Sequence, residues 1–152
     1  MTRRVLVCGL GSIGRRHVAN LTSLGAEVCL WRARPELAAA AQDEFSLPVH
    51  LDIDEAVSVV DAVVIATEPP RHIEIATRAA EAGKALFIEK PLSNTLDGVD
   101  ALVELTARKG IAVEIGCQLR SHPTLIALFR RLRSGNDGPG LTSRCAVGQR
   151  LV

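Results

Sequence analysis

Three glycines, Gly9, Gly11 and Gly14, constrain this chain more than any other feature. They directly follow the apolar run Val5-Leu6-Val7-Cys8 and open an apolar-periodic segment (Ile13, Val18, Leu21, Leu24). Strand, glycine turn and helix in that order form the context that a dinucleotide-binding fingerprint requires. Each glycine has a mechanical reason: Gly9 permits the tight turn, Gly11 lets backbone approach a pyrophosphate, and Gly14 lets the helix sit close on the sheet. The helix N-terminus offers free N–H groups and a partial positive charge, so a pyrophosphate is expected over Gly11, Ser12 and Ile13. A plain strand-to-helix turn is the bland alternative.

The rest of the chain repeats the alternation. Ala26 to Trp31 reads as a second strand and Glu36 to Phe45, behind Pro35, as an alanine-rich helix. A short strand at Val49-His50-Leu51 precedes a brief helix through Val59, capped by Asp52 or Asp54. Asp61 to Ala66 is a central strand, stopped by Thr67-Glu68-Pro69-Pro70, and His72 to Ala82 is helical. Ala85 to Glu89 is a fifth strand, and Ser93 or Asn94 caps a helix through Lys109. Ile111 to Ile115 is a sixth strand, and a helix runs from Pro123 to Arg133. Six apolar strands alternating with helices predict an α/β doubly wound parallel sheet, a Rossmann fold, with strand order reversing between the first and fourth strands.

Composition agrees. The 152 residues fit one domain; 47% are hydrophobic and only 3% aromatic, so aliphatic side chains fill the core, as buried parallel sheets prefer. The net charge of +1 is dispersed, which argues against nucleic acid as a partner. Apolar runs are too short for a membrane span, and the chain enters a strand after Arg4, leaving no room for a signal peptide. The cysteines Cys8, Cys29, Cys117 and Cys145 show no CxxC spacing; three sit in apolar strand-like runs and read as small buried thiols. A cytoplasmic protein without a metal site is expected.

Four segments carry chemistry. About 20 residues beyond the glycine turn, a carboxylate normally accepts the ribose hydroxyls of NAD. Arg32 stands there, with Arg34 two further on. A guanidinium cannot accept a hydroxyl proton but pairs a 2′-phosphate, so NADP is the expected cofactor and NAD the second choice. Solvated surface arginines are the alternative. At the switch point beyond the fourth strand, Thr67 can bond a phosphate or ribose, Pro69 shapes the turn, and His72 can reach the cofactor edge or be satisfied by backbone. Glu89-Lys90-Pro91 ends the fifth strand at the same rim. By spacing alone it is first a surface ion pair, and otherwise a lysine for a substrate hydroxyl or the nicotinamide ribose, steered by its carboxylate neighbour. Gln118-Leu119-Arg120-Ser121-His122-Pro123 supplies polar groups after the sixth strand.

Taken together, Gly9 to His17, Ala66 to His72, Glu89 to Ser93 and Gly116 to Pro123 resemble the glucose–fructose oxidoreductase / inositol dehydrogenase (Gfo/Idh/MocA) family. The resemblance implies an NAD(P)-dependent enzyme acting on a hydroxyl of a sugar, polyol or related small molecule. It implies that Lys90 sits near the reacting carbon as the catalytic residue, assisting binding and proton transfer, and that Gln118 lies near the nicotinamide. In that family a mainly antiparallel substrate domain follows. Residues 1–140 are accordingly expected to be the dinucleotide-binding domain. Residues 141–152, where Val147-Gly148-Gln149-Arg150 resembles a first strand, are expected to be the start of a truncated second domain that can pair with another copy. On that expectation, the chain alone binds cofactor but turns over poorly. The alternative is a non-catalytic dinucleotide-binding or sensing module of the same fold.

Overall fold

The computed structural model describes residues 2–135 and 138. Residues 2–116 form one compact unit and the described residues from Cys117 onward a second. In the first unit the order is β1 (Arg4–Cys8), α1 (Ser12–Ser23), β2 (Glu27–Trp31), α2 (Pro35–Phe45), β3 (Val49–His50), α3 (Ile53–Ser58), β4 (Ala62–Ile65), α4 (His72–Glu81), β5 (Ala85–Ile88), α5 (Val99–Lys109) and β6 (Val113–Ile115). A 3-10 turn at Pro69–Arg71 leads into α4. The second unit contains a 3-10 turn, Gln118–Ser121, and α6 (Pro123–Arg133). No helix among the described residues is long and apolar enough to cross a membrane.

All six strands are parallel, in the order β3-β2-β1-β4-β5-β6. The order reverses between β1 and β4, as the sequence predicts, and this makes a crevice at their carboxyl ends. Strand alternation divides the core in two. Leu6, Cys8, Cys29, Val63, Ile65, Leu86 and Ile88 face α3, α4 and α5, where Val57, Ile75, Ala76, Ala79, Ala80 and Leu102 meet them. Val5, Val7, Val28, Leu30 and Val64 face the other way, against Val18 of α1 and Ala41 of α2. Burial on both faces explains why these strands read as unbroken apolar runs. A fully buried side chain such as Leu6 contributes about 1.5–3 kcal/mol relative to exposure. Three alanines on the buried face of α4 let that helix lie close to the sheet.

Caps set the helix ends. Asp52 Oδ1 accepts from Asp54 N and Glu55 N, both at 2.8 Å, and starts α3. The start of α5 departs from expectation: neither Ser93 nor Asn94 caps it, and the helix begins after Gly98 at φ 75°. Ser93 Oγ accepts instead from Thr95 N and Thr95 Oγ1 from Asp97 N, so consecutive side-chain turns occupy 93–97. Gly98 then takes the left-handed conformation that breaks any helix arriving from upstream. Cys8 and Cys29 are buried as expected, whereas Cys117 is exposed because β6 stops at Ile115.

Candidate active site

The carboxyl ends of β1, β4, β5 and β6 form one rim, held in register by continuing ladder bonds. Ala66 N donates to Cys8 O at 2.7 Å, Glu89 N to Ile65 O at 2.9 Å, and Gly116 N to Ile88 O at 2.8 Å. Above this rim lie two adjoining cavities. The larger, about 590 Å³, includes Gly9, Gly11, Trp31, Arg32, Arg34, Ala66, Thr67, Glu68 and Arg71 in its walls. The smaller, about 220 Å³, is lined by Gly11, Ser12, Ile13, Ala66, Thr67, Pro69, His72, Glu89 and Lys90. They share Gly11, Ala66 and Thr67, so the N-terminus of α1 stands between them.

Packing explains the glycine turn. Gly9 has φ 95°, and a Cβ there would meet Ala66 O and come 2.7 Å from Thr67 N. A Cβ on Gly14 would fall on the Gly9 carbonyl. Gly11 differs: nothing lies within 4 Å of its missing Cβ, and its backbone is extended at φ −67° and ψ −174°. Its bareness serves the space outside the protein. The first helical bond of α1 is Arg15 N to Gly11 O at 2.9 Å, which leaves the amides of Ser12, Ile13 and Gly14 without helical partners. With the dipole of α1 behind them, these amides form an anion cradle.

The larger cavity is cationic. Arg32 Nε is buried and has no hydrogen-bond partner among the described residues. Burial, and then the nearby Arg15 and Arg34 guanidiniums, hold Arg32 below the ordinary guanidinium pKa, against an opposing pull from Glu68. Arg15 is anchored by its Nε donating to Leu10 O at 3.1 Å, by Glu44, and over the Phe45 ring at 5.5 Å. Arg34 is exposed, 3.8 Å from Glu36. Arg71 lies over the Trp31 ring at 4.9 Å. A buried donor without an acceptor, among cations that repel it, fits an added anion.

The smaller cavity carries the lysine. Lys90 is exposed, and its ammonium makes no hydrogen bond or ion pair with any described residue. The surface pair with Glu89 is therefore not formed. Glu89 Oε1 instead meets His17 Nε2 at 2.8 Å, and Oε2 accepts the backbone N–H of Lys90 at 3.2 Å. His72 is 1% exposed, with Nδ1 3.1 Å from Pro91 O and Nε2 3.0 Å from Thr67 O. Its ring pins the start of α4 to the loops after β4 and β5; both neighbours are carbonyl acceptors, so the single N–H of a neutral ring donates to one of them. Thr67 Oγ1 lies 3.4 Å from Glu68 O and borders both cavities. Gln118 opens the 3-10 turn of the second unit and is exposed. Residues 141–152, expected to be a strand, lie outside the described residues.

Sequence reading missed Glu68 and Arg71, which enter the arginine cavity from beyond β4, and the pairing of His17 with Glu89 across 72 positions. His17 did carry a signal. It lies three residues after Gly14, on the helix face turned to the sheet.

Comparison with known proteins accords with this geometry. Residues 3–117 match a family described as "Oxidoreductase family, NAD-binding Rossmann fold". An inositol 2-dehydrogenase of Saccharopolyspora erythraea is 35% identical over 150 residues, covering 93% of this chain and 44% of the relative. The scyllo-inositol 2-dehydrogenase (NAD(+)) of Bacillus subtilis is 30% identical, covering 89% of this chain and 41% of that one. A probable dehydrogenase from Thermotoga maritima superposes with a TM-score of 0.79 at 28% identity, over 89% of this chain and 42% of that one. The chain thus spans less than half the length of these relatives. With the fold, the glycine turn and the match over residues 3–117 all in agreement, the chain belongs to the Gfo/Idh/MocA oxidoreductase family.

Proposed function

We propose that this chain binds NADP(H) across the two cavities and forms the cofactor-binding part of an oxidoreductase that acts on a CH–OH group of a sugar or polyol. The carrying observation is the α1 N-terminus standing between an arginine-lined cavity and one lined by Lys90. In this reading Gly9 and Gly14 shape the turn, and the bare Gly11 with the amides of Ser12 and Ile13 receives the pyrophosphate. Arg32 and Arg34 meet a 2′-phosphate, which supplies the acceptor that Arg32 Nε lacks. Thr67 and Pro69 line the path between the cavities, with His72 beneath them. Glu89 and Lys90 belong to the nicotinamide end; Gln118 keeps the role that the family resemblance implies for it.

The bound nicotinamide supplies hydride acceptance and donation. Lys90 holds the substrate hydroxyl and takes or returns its proton at Nζ, work worth about 10²–10⁴-fold in rate for a placed acid–base group. Substrate choice follows by analogy from the inositol-specific names of the relatives. Residues 1–140 make up the dinucleotide domain in this proposal, and 141–152 open a substrate domain. A second reading, NAD in place of NADP, is favoured by Glu68, a carboxylate that shares the arginine cavity and can accept ribose hydroxyls, and by the NAD(+) in the name of the Bacillus subtilis relative.

Thermal unfolding with NADP+ and NAD+ in parallel tests the reading. Binding at a hundredfold excess over Kd stabilises by about 2.7 kcal/mol. A larger shift with NADP+ supports the first reading and a larger shift with NAD+ the second. No shift with either overturns both.

A further inference from the structure

We propose that His17 and Glu89 are positioning residues, which tie Lys90 to the helix that cradles the pyrophosphate. This inference rests on the reading above and deepens it. Glu89 lies next to Lys90, and an isolated Glu-Lys pair is expected to join its own charges. Here both carboxylate oxygens point elsewhere. Oε1 meets His17 Nε2 at 2.8 Å, and Oε2 takes the backbone N–H of Lys90 at 3.2 Å. The side chains of His17 and Glu89 are only 20% and 16% exposed, so water competes weakly for this pair.

Two further contacts set the geometry. The His17 ring meets Phe87 of β5 edge-on, with centroids 5.1 Å apart at 65°. On the other side, a Cβ on Gly116 would come 2.9 Å from Glu89 Oε2 and 3.0 Å from its carboxyl carbon. Gly116 does not use a left-handed backbone conformation, so the glycine is there for room. That room is what the turned carboxylate fills.

The consequence for Lys90 is mechanical. Its backbone nitrogen and the imidazole of α1 share one carboxylate. His17 lies one helical turn from Gly14, so the span between the anion cradle and the lysine backbone passes through a single hydrogen-bonded group. With Glu89 spent in this way, the Lys90 ammonium, at the smaller cavity, has no partner among the described residues. Positions fixed this closely matter because hydride transfer is sensitive to displacements of about 1 Å.

The test uses the full 152-residue chain, whose only lysines are Lys84, Lys90 and Lys109. Amine acetylation is followed by peptide mass spectrometry with and without saturating NADP+, and with NAD+ in parallel. Lys84 and Lys109, which donate to Ser58 O and Glu81 O, serve as references in the same sample. In the wild type, bound dinucleotide slows acetylation of Lys90 and not of the references. His17→Leu keeps the dinucleotide-dependent thermal shift but loses that protection. His17→Gln restores it, because the amide nitrogen replaces Nε2 as donor. Gly116→Ala loses it while leaving both paired residues in place, which keeps the test decisive should His17→Leu unfold. Undiminished protection in His17→Leu and Gly116→Ala would overturn the proposal and leave the pair as packing alone. A wild-type thermal shift without protection of Lys90 also overturns it, with the cofactor reading intact. Absence of any shift in the wild type overturns the cofactor reading and this inference together.

Discussion

Replacing Gly11 and Gly14 separately by alanine should divide binding from folding. Gly11 has an extended backbone and open space where a Cβ would go. Glycine-to-alanine at such a compatible site gains about 0.4–1 kcal/mol through the unfolded chain. Alanine is a poorer helix N-cap than glycine by a similar amount, about 0.5–1 kcal/mol. The two offset, so Gly11→Ala leaves stability unchanged within about 0.5 kcal/mol. Gly14→Ala is different. It gains about 1 kcal/mol of helix propensity, but its methyl falls on the Gly9 carbonyl, with the carbonyl carbon only 2.8 Å away. Overpacking costs about 1–3 kcal/mol, and because the clash is with the Gly9 backbone rather than a flexible side chain the upper end applies, leaving a net loss of about 1–2 kcal/mol. Affinity reverses the ranking for Gly11. A methyl there stands where the pyrophosphate approaches and disrupts charge-assisted bonds worth about 1.5–3 kcal/mol each. The Kd for NADP+ should therefore rise about tenfold or more. Urea unfolding without ligand, paired with NADP+ titration, reads both quantities. If Gly11→Ala unfolds as easily as Gly14→Ala, or binds NADP+ like the wild type, the assignment of roles to these glycines is wrong.

Three further outcomes follow from particular contacts. Asp52→Ala removes the acceptor for two amides at the start of α3 and should cost about 0.5–2 kcal/mol in urea unfolding. Lys90→Ala should leave the unfolding free energy in urea within about 0.5 kcal/mol of wild type, because this exposed side chain has no partner among the described residues; a larger loss would reveal a structural role. Burial, followed by neighbouring Cys29, pushes the Cys8 thiol above its ordinary pKa of 9.0. The unfolded chain releases that proton first as pH rises, so the contribution is fully present below pH 9.0 and declines above it. Denaturant midpoints measured across that range should fall, and the fall should shrink in Cys8→Ala.

The fold was legible because its signals are local. Val5 to Cys8 and Ala62 to Ala66 show the unbroken apolar character of strands covered on both faces, and Gly9, Gly11 and Gly14 mark the turn between strand and helix. The start of α5 was misread because serine and threonine oxygens serve amides in turns as readily as at helix caps, and only the conformation of Gly98 decides between the two. The candidate site was legible as separate segments. What joins them is tertiary: His72 meets carbonyls 5 and 19 positions away, and His17 meets Glu89 across 72. Gly116 was visible in its motif, but the carboxylate that needs its missing side chain comes from another strand. In sequence Glu68 belongs to a breaker cluster, and the fold carries it into the cavity that Arg32, one residue beyond β2, also lines.

The proposed occupant of the arginine cavity is a phosphorylated adenosine ribose. Calorimetric titration of the wild type and Arg32→Asp with NADP+ and NAD+ tests it directly. The wild type is expected to prefer NADP+. Arg32→Asp should weaken NADP+ by about 1–3 kcal/mol, the scale of a lost charge-assisted bond, or about 5–150-fold in Kd, and NAD+ far less. Tighter binding of NAD+ than of NADP+ by the wild type, or equal losses for both ligands in the variant, would contradict it.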